Sequence, residues 1–448
     1  MKRRLTFTES LSVGSLLFGL FFGAGNLIFP ALMGQAAGRN IIPALIGFLL
    51  SGVGLPLLAV AALGISHSSG VLELGLKVGK KYSYFFTCAL YLTIGPFFAA
   101  SRCFTVPFET GFSAVMPEGM NQTLALFIFT FIFFVLVLFF SLRPGKILIW
   151  VGKFLNPLFL LVFAWIIGTA LLNPMGNFSN IEPTEYYNAA PLAKGLLEGY
   201  NTMDTLAGLA FGIIVINVIR SLGINEPNDI AVCTVVSGSI ACILMAIIYS
   251  ATVLAGAQSR NIYELASNGG IVLSDIARHY FSNTGAYLLA AMIFIACLKT
   301  AIGLITSCSQ AFEQMFPKFL SYRKWAVIFS LMSFAFANIG LAGIIKLSIP
   351  VLMMLYPLSI TLIFLVLAER YLKNSAPLAF KIVTAVTFAC GFLDFCSALP
   401  DGIIQILNLE KFLSIFRNVL PFFSLGLGWL LPAFIAFIVS ILISKLKI

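Results

Sequence analysis

The sequence predicts an all-α integral membrane protein of about twelve transmembrane helices. Ten of them form two inverted groups of five, each opening with an interrupted helix, and two more follow. Three observations carry this. Of 448 residues, 60% are hydrophobic and only 10% charged, more apolar surface than a soluble domain of this length can bury. Runs of roughly 20 apolar residues, enough to cross a hydrocarbon core of about 30 Å, recur along the whole chain. Glycines interrupt the centres of the first and sixth runs, where lipid favours unbroken helix. The pattern lacks the short alternating strands of a barrel.

The runs fall near 11–33, 41–64, 83–106, 122–141, 147–172, 200–219, 230–257, 285–312, 326–345, 348–368, 379–399 and 419–444. Only a short link, GLAGIIKL, divides the ninth from the tenth. The longest polar link, 173–199, divides the first ten spans into two fives. Five is odd, so the second group must sit upside down relative to the first. The expected units of one transmembrane domain are therefore 1–172, the inverted 200–368, and two added helices in 379–448.

The net charge of +10, from 27 basic and 17 acidic residues, follows this topology. With the N-terminus in the cytoplasm, eighteen Lys/Arg fall on the cytoplasmic side, from Lys2, Arg3 and Arg4 to Lys445 and Lys447. Eight fall outside, and Lys299 lies within a span. This positive-inside bias places both termini in the cytoplasm of a multi-pass cell-membrane protein and leaves no basic surface for nucleic acid. Treating the first run as a cleavable leader would reverse the parity of every later loop, so it is expected to remain a span. The eight cysteines lie in or beside apolar spans without C-x-x-C spacing and read as packing residues. His67 and His279 fall in loops, and no H-E-x-x-H exists. No cofactor or resident metal is expected beyond a transported cation.

Within the first span stand Gly23, Ala24, Gly25, Asn26 and Pro30. Relaxing a helix there frees amides whose dipole suits a carboxylate and carbonyls that suit a cation. Gly19 and Gly23 also have the spacing of close helix packing. In the sixth span, Thr202, Met203 and Asp204 precede a second glycine-rich stretch, and an intramembrane carboxylate is a functional candidate because its burial is costly. Gly303, Thr306 and Ser307 in the eighth span offer a carbonyl and two hydroxyls to a hard ion. The hydroxyls have back-bonding to their own helix as an alternative. Arg102 and Glu109, seven apart, share one helical face and read either as an outer gate or as an interfacial pair. Lys299 shares a face with Thr306 and is expected to be a functional charge, with Asp204 its candidate partner.

The runs LFGLFFGAGNLIFP (17–30), GPFFAASRCFTVPFE (95–109), TMDTLAGLAFG (202–212) and GLITSCSQ (303–310) resemble the bacterial branched-chain amino acid:cation symporters over essentially the whole chain. The resemblance implies uptake of leucine, isoleucine and valine with Na⁺ or H⁺, in a fold of the leucine-transporter type. It implies backbone carbonyls of Gly19, Phe22 and Gly303, with the Thr306 and Ser307 hydroxyls, around a cation. Amides of Ala24 and Gly25, next to Gly23 in the same substrate site, would meet the substrate carboxylate, Asn26 would be a polar ligand, and Thr202, Met203 and Asp204 would line the other side. Arg102, Glu109 and Lys299 are then gate or coupling candidates. This chain has Ser101 and Cys103 where the family usually has proline and threonine, and Lys299 where it has a small neutral residue. A fixed ammonium near a sodium site weakens Na⁺ binding by repulsion.

Two other classes fit less well. Another small neutral amino acid with proton coupling is the nearer alternative. An intramembrane enzyme would need Asp204 and Asp394 as a carboxylate pair, but neither sits in a Y-D or G-x-G-D setting, and no G-x-S-x-G is present. No enzymatic activity and no obligatory protein partner are expected.

Overall fold

The computed structural model describes residues 4–66, 68, 70–112, 116, 119, 121–143 and 156–446. Lys2, Arg3, His67, Lys447, the start of the 147–172 span and the side chain of Lys445 lie outside the described residues. Among the described residues every regular element is helical.

The first span begins on a capping box. The Thr6 hydroxyl accepts from the Glu9 amide, and the Glu9 carboxylate accepts from the Thr6 amide. Helix α1 (Phe7–Phe21) stops where Phe22 leaves helical dihedrals, and α2 (Ala24–Ala37) resumes after an extended Gly23. Next come α3 (Ile41–Leu49) and α4 (Leu55–Ile65), joined by a π-turn, and the short α5 (Val71–Leu76). Helices α6 (Lys80–Leu92) and α7 (Ala99–Pro107) meet at a kink where Gly95 precedes Pro96. Helices α8 (Gln122–Ser141) and α9 (Asn156–Leu172) follow.

The link expected at 173–199 folds into α10 (Glu185–Ala189) and α11 (Pro191–Tyr200). Helix α12 (Asp204–Ser221) starts after Met203, which adopts left-handed dihedrals (φ 63°), and α13 is Pro227–Ser259. Helix α14 (Gly269–Met315) absorbs part of the link expected at 258–284 and bends at Ser282 (φ 52°). His279 is therefore helical rather than in a loop. Helix α15 (Tyr322–Ala337) ends before Gly340 (φ 82°), whose missing Cβ permits that turn. The break between the ninth and tenth runs thus falls at its edge, and most of GLAGIIKL belongs to α16 (Leu341–Leu372). After α17 (Ala376–Ser397), α18 (Asp401–Ile406) and α19 (Glu410–Val419), the last helix, α20 (Leu430–Leu446), starts later than the expected residue 419.

Among the described residues, six helical segments are long and apolar enough to cross a membrane, or seven if the bent pair around residues 191–221 counts as one. The number stands below twelve partly because Phe7–Phe21, Asn156–Leu172 and Leu430–Ile443 are shorter apolar helices and partly because neighbouring runs merge. Segments such as Ala24–Ile65 and Leu341–Ser397 run on for 42 and 57 residues, whereas one crossing uses roughly 20.

Helices α1, α2, α12 and α14 meet at the centre, with α13 packed along α1 and α2. The α2–α13 contact is backbone on backbone. A Cβ on Gly34 would stand 2.1 Å from the Val253 carbonyl oxygen, and one on Gly256 2.3 Å from that of Ala31. Helix α8 turns Leu124, Phe127, Phe131 and Ile132 outward, an apolar face of the kind lipid covers. The eight cysteines are free thiols, seven of them buried.

Candidate substrate and cation site

Each of the two spans breaks once, at Phe22–Gly23 and at Thr202–Met203, and the breaks meet; Gly25, Asn26 and Pro30 lie inside α2, and Gly208 and Gly212 inside α12, rather than in an unwound centre. The Asn26 side chain accepts the Gly23 amide at 2.8 Å, replacing the helical bond lost at the break. Its Nδ2 donates to Asp204 Oδ1 and Oδ2, each at 2.8 Å, and also contacts the Tyr249 hydroxyl. Tyr249, on α13, donates to Asp204 Oδ2 at 2.5 Å. On the other side, the Thr202 hydroxyl donates to the Gly199 carbonyl at 2.8 Å, and the left-handed Met203 turns the chain into α12. Asn26, Thr202, Asp204 and Tyr249 are all buried. Burial without water strengthens these bonds and makes each unpaired donor costly.

Asn26, Thr202 and Asp204 border a chamber of about 30 Å³, room for only a water or two. Gly23, Ala24, Gly25 and Asn26 form one wall, and Thr202, Met203 and Asp204 another. The apolar remainder comes from Leu20 and Phe21, from Ile94, Ala99 and Cys103, from Ala207 and Phe211, and from Thr300 and Leu304. The amides of Ala24 and Gly25 belong to the first turn of α2, where helix donors lack internal partners. The chamber therefore offers N–H groups, the Asp204 carboxylate, the buried Arg102 guanidinium and an apolar wall, groups able to meet both ends of an amino acid with an aliphatic side chain.

The five cation candidates, Gly19, Phe22, Gly303, Thr306 and Ser307, have the following neighbours. The Phe22 carbonyl accepts from the Thr300 hydroxyl at 3.1 Å, and Gly19 faces the Asn156 side chain. Gly303 stays within α14 and packs against Leu20. Thr306 lies 3.5 Å from the Tyr322 hydroxyl, and Ser307 3.4 Å from the Ala210 carbonyl. Ser307 also borders a polar cavity of about 520 Å³, lined by Gly70–Glu73, Thr87, Tyr91, Asn217, Gln310, Ala311 and Glu313–Met315.

Two expected pairings are replaced. Lys299 does not reach Asp204; its Nζ donates to Asn156 Oδ1 at 2.7 Å. A shared helical face fixes direction but not which neighbour stands opposite, and here α9 stands there. Arg102 donates to the Asn201 carbonyl at 2.8 Å and covers the Phe29 ring, whereas Glu109 accepts from the Leu341 amide at 3.0 Å. The π-turn Phe108–Phe112 shifts Glu109 off the regular α-helical register. Asp394 is buried on α17 beside Gly428, apart from the Asn26–Asp204 group. Sequence reasoning missed Tyr249, Asn156 and Thr300; a lone tyrosine inside the apolar run MAIIYSATV was the one visible hint.

Residues 6–447 match the family described as branched-chain amino acid transport protein. The chain belongs to this family. Relatives include a branched-chain amino acid permease of Lactobacillus delbrueckii subsp. lactis, 56% identical over 98% of this chain and 97% of its own. A permease of the same description from Bacillus subtilis (strain 168) is 39% identical, covering 97% and 96%. Among solved structures, MhsT in complex with L-phenylalanine matches with TM-score 0.54 at 14% identity, covering 100% of this chain and 99% of its own. A substrate-bound, outward-open Na⁺-coupled sialic acid symporter matches with TM-score 0.61 at 14% identity, covering 97% and 90%. The family is one of membrane transport proteins, not enzymes, and the fold is of the leucine-transporter type.

Proposed function

We propose that this chain is a secondary active symporter that imports leucine, isoleucine and valine with Na⁺ or H⁺ by alternating access. The observation that carries this reading is the Asn26–Asp204–Tyr249 group, set where two broken helices meet beside an apolar wall. The substrate amine meets Asp204 and the carbonyls near Thr202 and Met203, and its carboxylate meets the amides of Ala24 and Gly25, with Gly23 and Asn26 beside them. At about 30 Å³ the chamber is too small for leucine, so helices must part to admit it. The larger polar cavity at Ser307 supports an approach from one end. Branched-chain substrates are supported by the names of the relatives.

In this reading twelve spans cross the cell membrane with both termini in the cytoplasm. Residues 1–172 and 200–368 form the two inverted five-helix halves, and 379–448 add two helices. A mobile cation would take carbonyls of Gly19, Phe22 and Gly303 with the hydroxyls of Thr306 and Ser307, once these leave Tyr322 and Ala210. Arg102 and Glu109 serve as outer gate, and Lys299 in coupling. Inward movement of one positive charge supplies about 2.3 kcal/mol per 100 mV, enough to concentrate a neutral zwitterion.

The test is counterflow in proteoliposomes. Unlabelled leucine inside should accelerate uptake of labelled leucine, with isoleucine and valine competing. A pore or an enzyme gives no such exchange, and its absence sinks the proposal.

A further inference from the structure

We propose that the Lys299 ammonium is a tethered cation that takes the place of the mobile ion beside α1, and that its reversible protonation couples substrate movement to protons. This rests on the transport reading above and selects between its two ions.

Lys299 is 1% exposed, deep in α14. Its Nζ donates to Asn156 Oδ1 at 2.7 Å, and Asn156 Nδ2 donates to the Ser15 carbonyl of α1, also at 2.7 Å. The Phe18 and Phe159 rings lie 5.5 and 5.2 Å from the ammonium, within the range of cation–π attraction. A Cβ on Gly19 would stand 2.3 Å from Asn156 Nδ2. The ammonium and its amide partner therefore press on the stretch of α1 whose carbonyls were expected to hold a cation. The remaining candidates for that site are engaged elsewhere, Phe22 with Thr300 and Ser307 with Ala210.

Among the described residues no carboxylate faces Lys299. Its titratable neighbour on α14 is Cys297, beyond which lies Cys103 of α7. Helices α1 and α9 present only neutral groups: the Ser15 carbonyl, Phe18, Asn156 and Phe159. A structural lysine at this depth would be paired with a carboxylate or reach an interface; this one does neither. Its charge also disfavours a second cation. At an effective dielectric near 20, a like charge about 10 Å away, the rise of the seven residues from Lys299 to Thr306, weakens binding roughly tenfold.

The coupling step follows from the bonds. The ammonium gives one proton to a water molecule, leaving a neutral amine and a hydronium ion that departs to the inner solution. A hydronium ion from the outer solution later returns the proton. The neutral amine loses both its charge-assisted bond to Asn156 and its attraction to the two rings. The tie joining α14, α9 and α1 loosens, and α1 is freed to move with its substrate.

The test uses the full-length protein in proteoliposomes, as wild type, Lys299→Met and Lys299→Arg. Wild type should accumulate labelled leucine under an inward proton gradient, at the same rate in sodium or choline medium. Lys299→Met, which has no charge, and Lys299→Arg, which does not release its proton, should each lose proton-driven accumulation at least tenfold. Both should still exchange labelled for unlabelled leucine at a measurable rate, which shows that they are folded. Accumulation driven by Na⁺ alone at equal pH in wild type overturns the inference, as does proton-driven accumulation by either variant within twofold of wild type. If none of the three proteins exchanges leucine, the transport reading itself fails.

Discussion

Asn26 donates its side-chain amide to both oxygens of Asp204 at 2.8 Å, joining residues 178 positions apart at the two places where central helices are broken. The bond sets the distance between the two breaks. It also places the Asp204 carboxylate beside the first turn of α2, the arrangement on which the proposed binding of a zwitterion rests.

Asp204→Asn is expected to lower leucine uptake by about one to two orders of magnitude, the scale of a lost charge-assisted bond of about 1.5–3 kcal/mol. An asparagine has only one acceptor oxygen to share between Asn26 and Tyr249. Initial rates of labelled leucine uptake, normalised to purified protein, give the answer; rates equal to wild type would remove Asp204 from the site.

Tyr249→Phe keeps the ring against Phe48, whose centroid is 5.1 Å away, while deleting the hydroxyl that holds Asp204. The expected outcome is a KM for leucine raised roughly fivefold to tenfold and a stability loss of about 1 kcal/mol. Uptake kinetics and thermal melting of the purified variant read the two effects separately. A KM shift without a melting shift would place the hydroxyl in binding alone.

Ala207 borders the chamber, and valine there would remove space facing the substrate side chain. The preference for leucine over valine should fall roughly tenfold, the scale set by about one methylene in an apolar pocket. Competition of unlabelled valine against labelled leucine measures the ratio. An unchanged ratio would move the side-chain pocket away from this wall.

Gly34→Val tests packing rather than chemistry. Its Cβ would stand 2.1 Å from the Val253 carbonyl oxygen, which belongs to backbone and has nowhere to retreat. The α2–α13 contact should open, costing about 1–3 kcal/mol or more and lowering the melting temperature. Gly168→Val, where a Cβ meets nothing within 4 Å, is the control expected to melt as wild type.

Much of the fold was legible because lipid leaves so few options. A polar backbone group in hydrocarbon must be paired, so a run of apolar residues is read as helix, and Gly23, Asn26 and Pro30 within it as a break. The partners at that break were not legible. Tyr249 lies 223 residues from Asn26, and nothing local to MAIIYSATV says which helix will face it. The pairing of Lys299 with Asp204 failed for the same reason. A helical repeat gives the direction of a side chain on its own cylinder, and the choice of Asn156 depends on where α9 packs.

Composition and the spacing of apolar runs by themselves determined a bundle of membrane helices with a break in the first span; they put the second break among the glycines of 202–212, whereas the chain turns at Met203 and is helical from Asp204. They could go that far because each constraint acts within one helix, between backbone and lipid. Tertiary packing alone decided that Asn26 meets Asp204 and Tyr249, that Lys299 is held by Asn156, and that Arg102 and Glu109 go to different neighbours. Those choices depend on contacts between helices distant in sequence, and no local periodicity encodes them.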